Sequence, residues 1–558
     1  MTEKLSRRNF IKGAALGAAL AGGAASLGLA AGCSPQTTER EDGPAASAPG
    51  DIAWDHEVDF VVVGSGTAVF GALAATEQGG SALIIEKDLT IGGTTRLSGC
   101  VVWTPLNGIQ EAEGYGADLS ADEVVAYLKA ADLYKGSRDE DKEDYVAHAA
   151  AVFSWANENW GLGQTVYVLG DYLDLPGCKA QGRSLIASNS DGDQITGSMN
   201  YFTNERGGLY DLVFEPMIAE RGIEVLTGTE AKELLRDGAG RVVGIRASDG
   251  SKDLFVKGNK GVLLGCGGFD HDEQMRNDFL RGPVVGANSV KTNVGDGHKM
   301  GMAIGAALGN MGSMWQLPFY DIGTPDDLPN ATDWFEYAGL PGALVVNPRG
   351  RRFCDENTAY GAANLAFYAY DSDNYRYLNM PAFLICDQAH VDSYGWPGYA
   401  SERPEWFAPF ESLEELAGAC GIDEVALLDE VARFNAFCES GTDEDWGRGG
   451  GIYGPIDVES YGIERPELAN PCLAPVAAAP YFAAKVGPGT CGTSGGLKTD
   501  LDARVLGLDG TAIEGLYACG NNSAGVFGSC YPGAGGTVGA GFYRAFRAAN
   551  HAMGLGLV

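Results

Sequence analysis

"VDFVVVGSGTAVFGALAATEQGGSALIIEK", residues 58–87, carries the signature that sets the fold. The apolar, β-branched run from Val58 to Val63 has the length and composition of a strand buried on both faces. Gly64, Ser65 and Gly66 follow, then an Ala-rich helical stretch, then a second apolar run ending at Glu86, twenty residues beyond Gly66. In such a unit the glycines let backbone N–H groups at a helix N-terminus approach a pyrophosphate, and the acid at the tip of the second strand accepts ribose hydroxyls. Strand, helix, strand and acid in register predict an α/β protein with a Rossmann-type dinucleotide-binding domain. Where the usual pattern has a third glycine the chain has Val69, with Gly71 two residues later, so helix and sheet are expected to pack differently there.

The chain has 558 residues, too many for one ordinary core. Its formal charge of −35 would repel nucleic acid and anionic membrane surfaces, which argues against either as a binding partner. Glycine, 82 residues, is about twice its usual share without a Gly-X-Y period, which points to tight turns and close backbone contacts. The twelve cysteines include no CxxC or CxxCH, and the six histidines do not cluster, so neither a metal cluster nor a c-type haem is indicated.

The N-terminal stretch "SRRNFIKGAALGAALAGGAASLGLAAGCSP" sets Arg7 and Arg8 before an Ala/Gly-rich apolar run and resembles a twin-arginine export signal. Its "LAAGC" resembles a lipobox, which makes Cys33 the expected acylated residue of a protein lipid-anchored on the outer face of the cytoplasmic membrane. Residues 1–32 are read as the leader and 33–55, rich in Pro, Ser, Thr and acids, as a flexible tether.

Further segments separate flavin from nicotinamide. "GGTTRLSG" (92–99), "RVVGIRA" (241–247), "GVLLGCGGF" (261–269), "GDGHKMGMAIGA" (295–306) and "EGLYACGNN" (514–522), in this order, resemble the flavoproteins of the fumarate reductase superfamily. The resemblance implies FAD, contacted by Gly64, Ser65, Gly66, Glu86, Lys87, Gly92, Gly93, Thr94, Thr95, Ser98, Gly99, Ala231, Gly267, Asp296, Gly520, Asn521, Gly536 and Val538. No histidine stands where some relatives attach the flavin, so FAD is expected to be non-covalent. These pieces bracket an aromatic region with "MWQLPFYD", "TDWFEYAGL" and a helical stretch "SLEELAGACGIDEVALLDEVARFNAF". Residues 56–312 and 478–558 are thus read as an FAD-binding domain interrupted by an inserted α+β capping domain, 313–477.

In fumarate reductases an arginine of the inserted domain clamps the carboxylate and donates the proton. In the matching stretch here, "RRFCDENTAYGAAN" (351–364), its place holds Tyr360, and Arg351 and Arg352 read as turn or capping residues. The C-terminal arginine context of those enzymes is likewise replaced by "CYPGAGG". Phenol in place of guanidinium favours a neutral ketone over a carboxylate.

"EKDLTIGGTTRLSGCVVWTPLN", "GDYLDLPG", "RFCDENTAY" and "SCYPGAGGTVG" together resemble the 3-ketosteroid Δ1-dehydrogenases, over about residues 55–555. The family's functional residues fall on Tyr172, Tyr360, Tyr531 and Gly535. Removing hydrogen across the bond α,β to a ketone sends a hydride from C1 to flavin N5 and a proton from C2 to a base. The Tyr531 hydroxyl and Gly535 N–H can polarise one carbonyl oxygen, with Tyr360 as the base and Tyr172 bonded to it. The glycine run after Tyr531 is expected to let ligand approach the backbone where a helix begins. The reading is an FAD-dependent oxidoreductase that introduces or reduces the C1–C2 double bond of a 3-ketosteroid, a small apolar ketone, with a membrane-associated electron donor or acceptor. The alternatives are an exported fumarate-reductase-like enzyme acting on an unsaturated carboxylate or other enoate, and a tethered flavin carrier without substrate chemistry.

Overall fold

The computed structural model describes residues 52–188, 194–195, 208–322, 335–460, 462 and 465–556. The leader, Cys33 and most of the tether lie outside the described residues. Asp55 already belongs to the sheet edge, donating its N–H to the Phe255 carbonyl at 2.9 Å.

Strand β1 (His56–Val63) runs through the glycine turn into helix α1 (Val69–Glu77), and β2 (Ala82–Ile85) lies parallel to β1 with Phe60 opposite Ala82 and Val63 opposite Ile85. Phe60 to Val63 are almost wholly buried, as a strand covered on both faces requires. Next come β3 (Val102–Trp103), helices α2 (Ala121–Ala131) and α3 (Asp139–Trp160), β4 (Gly163–Val166) and β5 (Ser184–Ser188), the three strands forming a small antiparallel sheet. Strand β6 (Glu224–Leu226) extends the main sheet beyond β2. The antiparallel ribbon β7 (Glu230–Arg236), β8 (Val242–Ser248) and β9 (Asp253–Leu264) returns the chain so that β9 lies parallel to β1 on its other side. Helix α4 (Asp296–Ala303) follows.

A second sheet is built from β10 (Phe319–Tyr320), β11 (Ala343–Val346), β12 (Ala382–Asp387), β13 (Ala408–Phe410) and β14 (Tyr481–Gly487), in the order β10-β14-β12-β11 with β13 also on β14. Helix α5 (Tyr360–Leu365) lies between β11 and β12 in the chain. The helical stretch expected over 412–437 is two helices, α6 (Leu413–Cys420) and α7 (Glu424–Ser440). Gly421 breaks them with a φ of +69°, and the Asp423 side chain caps the second by accepting the Ala426 N–H. Leu416, Leu427, Val431 and Phe434 cover one face of this sheet, and Phe353, Phe407 and Tyr337 the other.

The chain then completes the main sheet with β15 (Arg504–Leu506) and β16 (Ala512–Ala518), β16 parallel to β9, and ends in helix α8 (Gly536–Met553). The molecule is therefore α/β, a Rossmann-type sheet interrupted in sequence by a second, antiparallel sheet. Gly71 explains the shifted glycine of the dinucleotide motif: a Cβ there would stand 2.8 Å from Leu263 Cδ2 and 3.0 Å from the Ala545 carbonyl oxygen. One glycine thus lets α1 touch β9 and α8 at once.

The loop into α8 is pinned by a buried pair, Lys142 Nζ to Asp132 Oδ2 at 2.9 Å, and Asp132 also accepts the Ser529 N–H and hydroxyl. Removing the ammonium leaves a buried carboxylate without its counter-charge, so Lys142→Met should lower the unfolding free energy by about 3 kcal/mol. Lys129→Met, at the solvent-exposed pair with Glu143, should change it by under about 1 kcal/mol in the same urea titration of the FAD-loaded protein.

Candidate active site

A continuous cavity of ≈ 1240 Å³ runs from the glycine turn after β1 to the start of α8. It exceeds the roughly 300–1,000 Å³ of a site for one small ligand, as a dinucleotide plus a substrate requires. At one end the N-terminus of α1 opens into it. Among the described residues the N–H groups of Gly66 and Thr67 donate to no protein acceptor, so this helix end offers a free donor pair for a pyrophosphate. A Cβ on Gly66 would lie 3.2 Å from Thr95 Oγ1, across the gap between the turn and the 93–95 segment. The donor set and the bare glycine fit FAD.

Glu86 first organises this cradle. Its Oε2 accepts the Ser65 N–H at 3.0 Å and the Ser65 hydroxyl at 2.5 Å, and its Oε1 accepts the Asp88 N–H at 2.8 Å. One lone pair of Oε1 remains for a ribose hydroxyl. The Ser65 hydroxyl in turn accepts the Gly92 N–H at 2.7 Å, tying the two phosphate-side segments together. Lys87 is paired with Asp296 at 3.0 Å and Glu230 at 3.3 Å. Thr94 Oγ1 accepts from the Val290 N–H and from Asn293 Nδ2, both at 3.2 Å.

Gly64, Ser65, Gly66, Glu86, Lys87, Gly93, Thr94, Thr95, Ser98, Gly99, Ala231, Gly267, Asp296, Gly520, Asn521 and Val538 all line the cavity. Gly92 and Gly536 do not; Gly536 instead donates its N–H to the Gly533 carbonyl at 3.0 Å, closing the turn into α8. Sequence reasoning passed over Asn293 and Tyr210, whose hydroxyl donates to the Gly66 carbonyl at 2.9 Å. Neither sits in a segment with a motif, and only the fold brings Tyr210 to the turn and Asn293 to Thr94.

At the other end Tyr172, Tyr360, Tyr531 and Gly535 come together. The Tyr172 and Tyr360 hydroxyls are 2.7 Å apart, and the three rings pack edge to face with centroids 4.9 to 5.2 Å apart. Burial pushes the Tyr172 and Tyr360 hydroxyls well above the ordinary phenol value, and the neighbouring tyrosines add to the rise at both. Burial also raises Tyr531, against hydrogen bonds from Tyr360 and Thr537 that lower it. Gly535 caps α8 with a φ of +85°, and a Cβ there would be 2.4 Å from the Val101 carbonyl carbon, so only glycine fits. Among the described residues the Gly535 N–H has no backbone acceptor. The later glycines serve protein packing: a Cβ on Gly539 would meet the Tyr145 hydroxyl at 2.7 Å, and one on Gly541 would meet Thr67 at 2.6 Å. At Gly533, Gly535, Gly539 and Gly541 alike, the close approach the run permits is that of protein to protein.

A fourth tyrosine, Tyr453, stands on Tyr172 at 5.4 Å between centroids and donates to Asp457 at 3.2 Å. The sequence offered no signal for it. Arg352 is not a turn or capping residue: it is fully buried, bidentate on Glu356 at 2.7 and 2.8 Å and paired with Asp443 at 2.8 Å. Arg448 joins the same carboxylate and donates to the carbonyls of Gly339, Leu340 and Ala343. Among the described residues the one cation lining the cavity is Lys87.

A nucleotide cradle at a strand–helix turn, joined to a phenolic pocket, defines a flavoprotein oxidoreductase. The family described as "FAD binding domain" matches residues 59–538. A 3-oxosteroid 1-dehydrogenase of Mycolicibacterium smegmatis is 32% identical, the match covering 87% of this chain and 95% of that one. A 4-oxocyclohexanecarboxylate 2-dehydrogenase of Sinomonas cyclohexanicum is 29% identical over 86% of this chain and 90% of its own. The crystal structure of 3-ketosteroid Δ1-dehydrogenase from Sterolibacterium denitrificans, in complex with 1,4-androstadiene-3,17-dione, superimposes with a TM-score of 0.79 at 30% identity, over 89% of this chain and all of that one. The chain belongs to the 3-oxosteroid 1-dehydrogenase family of FAD-dependent oxidoreductases, and FAD is its cofactor.

Glu86→Ala frees the Ser65 and Asp88 donors and removes the ribose acceptor. FAD should bind about 10- to 100-fold more weakly, at about 1–3 kcal/mol for the lost bonds, as read by flavin fluorescence titration of the stripped protein.

Proposed function

We propose that this protein introduces or removes the C1–C2 double bond of a 3-ketosteroid or a closely similar cyclic ketone. The observation that carries the reading is the 2.7 Å contact of the Tyr172 and Tyr360 hydroxyls beside Tyr531 and the Gly535 N–H, in a cavity whose one described cation is held by two carboxylates at the nucleotide end. A neutral carbonyl oxygen matches a phenol and an N–H, whereas a carboxylate would call for a guanidinium.

Bound FAD supplies the two-electron exchange. Tyr531 and Gly535 donate to the ketone oxygen and stabilise the charge that develops on it as the C2 proton leaves. Tyr360 takes that proton. Its own proton is shared with Tyr172, so the base is the singly deprotonated pair, stabilised by the short bond between the two oxygens. In the reverse direction the doubly protonated pair donates to C2.

We further propose that 313–477 caps the substrate end; Tyr337, Leu340, Tyr360, Tyr394 and Tyr453 of that segment line the cavity. Export by the twin-arginine route, a lipid anchor at Cys33 and an electron donor or acceptor at the membrane are proposals that the leader sequence supports. Among the described residues no helix is long and apolar enough to cross a membrane.

The test is anaerobic flavin absorbance. Androst-4-ene-3,17-dione should bleach the oxidised enzyme, or the 1,4-diene should reoxidise the dithionite-reduced enzyme. Reoxidation by fumarate with neither steroid active would overturn the reading. Tyr531→Phe should lower kcat by about 10²- to 10³-fold and Tyr360→Phe by about 10²- to 10⁴-fold. Because burial raises both phenols, the pair is fully protonated at neutral pH. Dehydrogenation should therefore quicken as pH rises into the alkaline range and enone reduction should slow, measured as kcat in each direction.

A further inference from the structure

Residues 170–172 and 532–534 form a short antiparallel ladder. The Ala534 N–H donates to the Gly170 carbonyl at 3.1 Å, the Tyr172 N–H donates to the Pro532 carbonyl at 3.0 Å, and Asp171 faces Gly533 between them. The contact is close enough that a Cβ on Gly533 would lie 2.6 Å from the Gly170 carbonyl oxygen and 2.7 Å from Trp103 Cδ1. This ladder sets the separation of Tyr172 from both Tyr531 and Gly535.

What holds the strap is the Asp171 side chain, which points away from the cavity. Its Oδ1 accepts Trp103 Nε1 at 2.7 Å, and its Oδ2 accepts an Arg183 guanidinium N–H at 2.6 Å and the Lys179 N–H at 2.8 Å. Arg183 is fully buried and turns its other edge to Asp118 at 2.8 Å. A buried ion group of this kind gains little stability over a well-packed apolar one, so its benefit is sought in geometry.

Resting on the proposed ketone chemistry, we infer that Asp171 is a positioning residue for proton transfer at C2: gripped by Trp103 and Arg183, it holds the strap on the 532–534 turn so that Tyr172 stays on Tyr360 while Tyr531 and the Gly535 N–H stay on the ketone. It is not among the residues that line the cavity, and it acts through the backbone of its neighbour. Burial pushes the Asp171 carboxyl up to about 6, against the Arg183 charge that lowers it. The titratable groups facing it are Arg183, Asp118, Tyr127, Cys178 and Cys530. As pH falls through that value Asp171 takes a proton and the charge-assisted grip on the strap is lost.

The experiment compares FAD-loaded wild type and Asp171→Asn for kcat, KM and the wash-out of C2 deuterium from androst-4-ene-3,17-dione. kcat and the wash-out should fall about 30-fold with KM changed less than about threefold, and the acid limb of the wild-type kcat profile near pH 6 should vanish. In a Tyr172→Phe background the same change should cost less than about threefold, since the group through which it acts is gone. Trp103→Phe, which removes one grip and keeps the ion pair, should show a smaller loss of the same pattern. Wild-type activity in Asp171→Asn, an equal loss with and without the Tyr172 hydroxyl, or failure of Asp171→Asn to retain FAD would each overturn the proposal. If the wild type itself neither bleaches nor exchanges C2 deuterium with the steroid, the substrate reading fails, and the proposal with it.

Discussion

The close contact between α1 and α8 is the constraint on which the rest depends. The first helix of the nucleotide unit and the last helix of the chain meet through Gly71 and Gly541, where a Cβ would strike the Ala545 carbonyl on one side and Thr67 on the other. Fourteen residues of α8 are buried, so its axis cannot shift without opening the core. Because α8 is held there, its N-terminus with Gly535 stands at the same cavity as the glycine turn that begins α1. Nucleotide cradle and phenolic pocket share one cavity because two helices are packed at glycine distance.

Around that core, buried charges act mainly on loops. Glu86 closes the phosphate turn through Ser65, Asp132 and Lys142 hold the chain before Tyr531, and Glu356 with Arg352 and Arg448 holds the segments on either side of the second sheet. Each carboxylate accepts from several donors, as burial of charge demands, whereas Arg352 Nη1 and Arg448 Nε are buried without a partner. The consequence for chemistry is that the guanidinium groups nearest Tyr360 in sequence are already committed to carboxylates. The cavity keeps phenols and N–H groups for its ligand, and its polarity matches a neutral carbonyl.

How much of this was legible beforehand follows from range. The nucleotide unit was readable because strand period, glycines and acid all lie within one short segment, and local sequence governs a local turn. Tyr172, Tyr360, Tyr531 and Gly535 were readable only through segments resembling a known family. Their physical reason, a hydroxyl contact 2.7 Å long between residues 188 positions apart, is invisible to any local pattern. Arg352 was misread for the same cause, since adjacent residues in "RRFCDE" look like a turn until Asp443 and Arg448 arrive from far along the chain. The break at Gly421 was legible in principle, as a helix-ending glycine followed by a capping aspartate.

The sequence by itself determined the α/β class, the strand-turn-helix that receives the pyrophosphate and the absence of a substrate arginine at position 360, because these depend on residue type and short-range periodicity. Tertiary structure alone decided which glycines line the cavity and which pack against protein, that Gly71 takes the place of the missing motif glycine, and that a buried aspartate stands behind Tyr172. Those outcomes depend on distances between segments that meet only when the core closes, and no local rule encodes them.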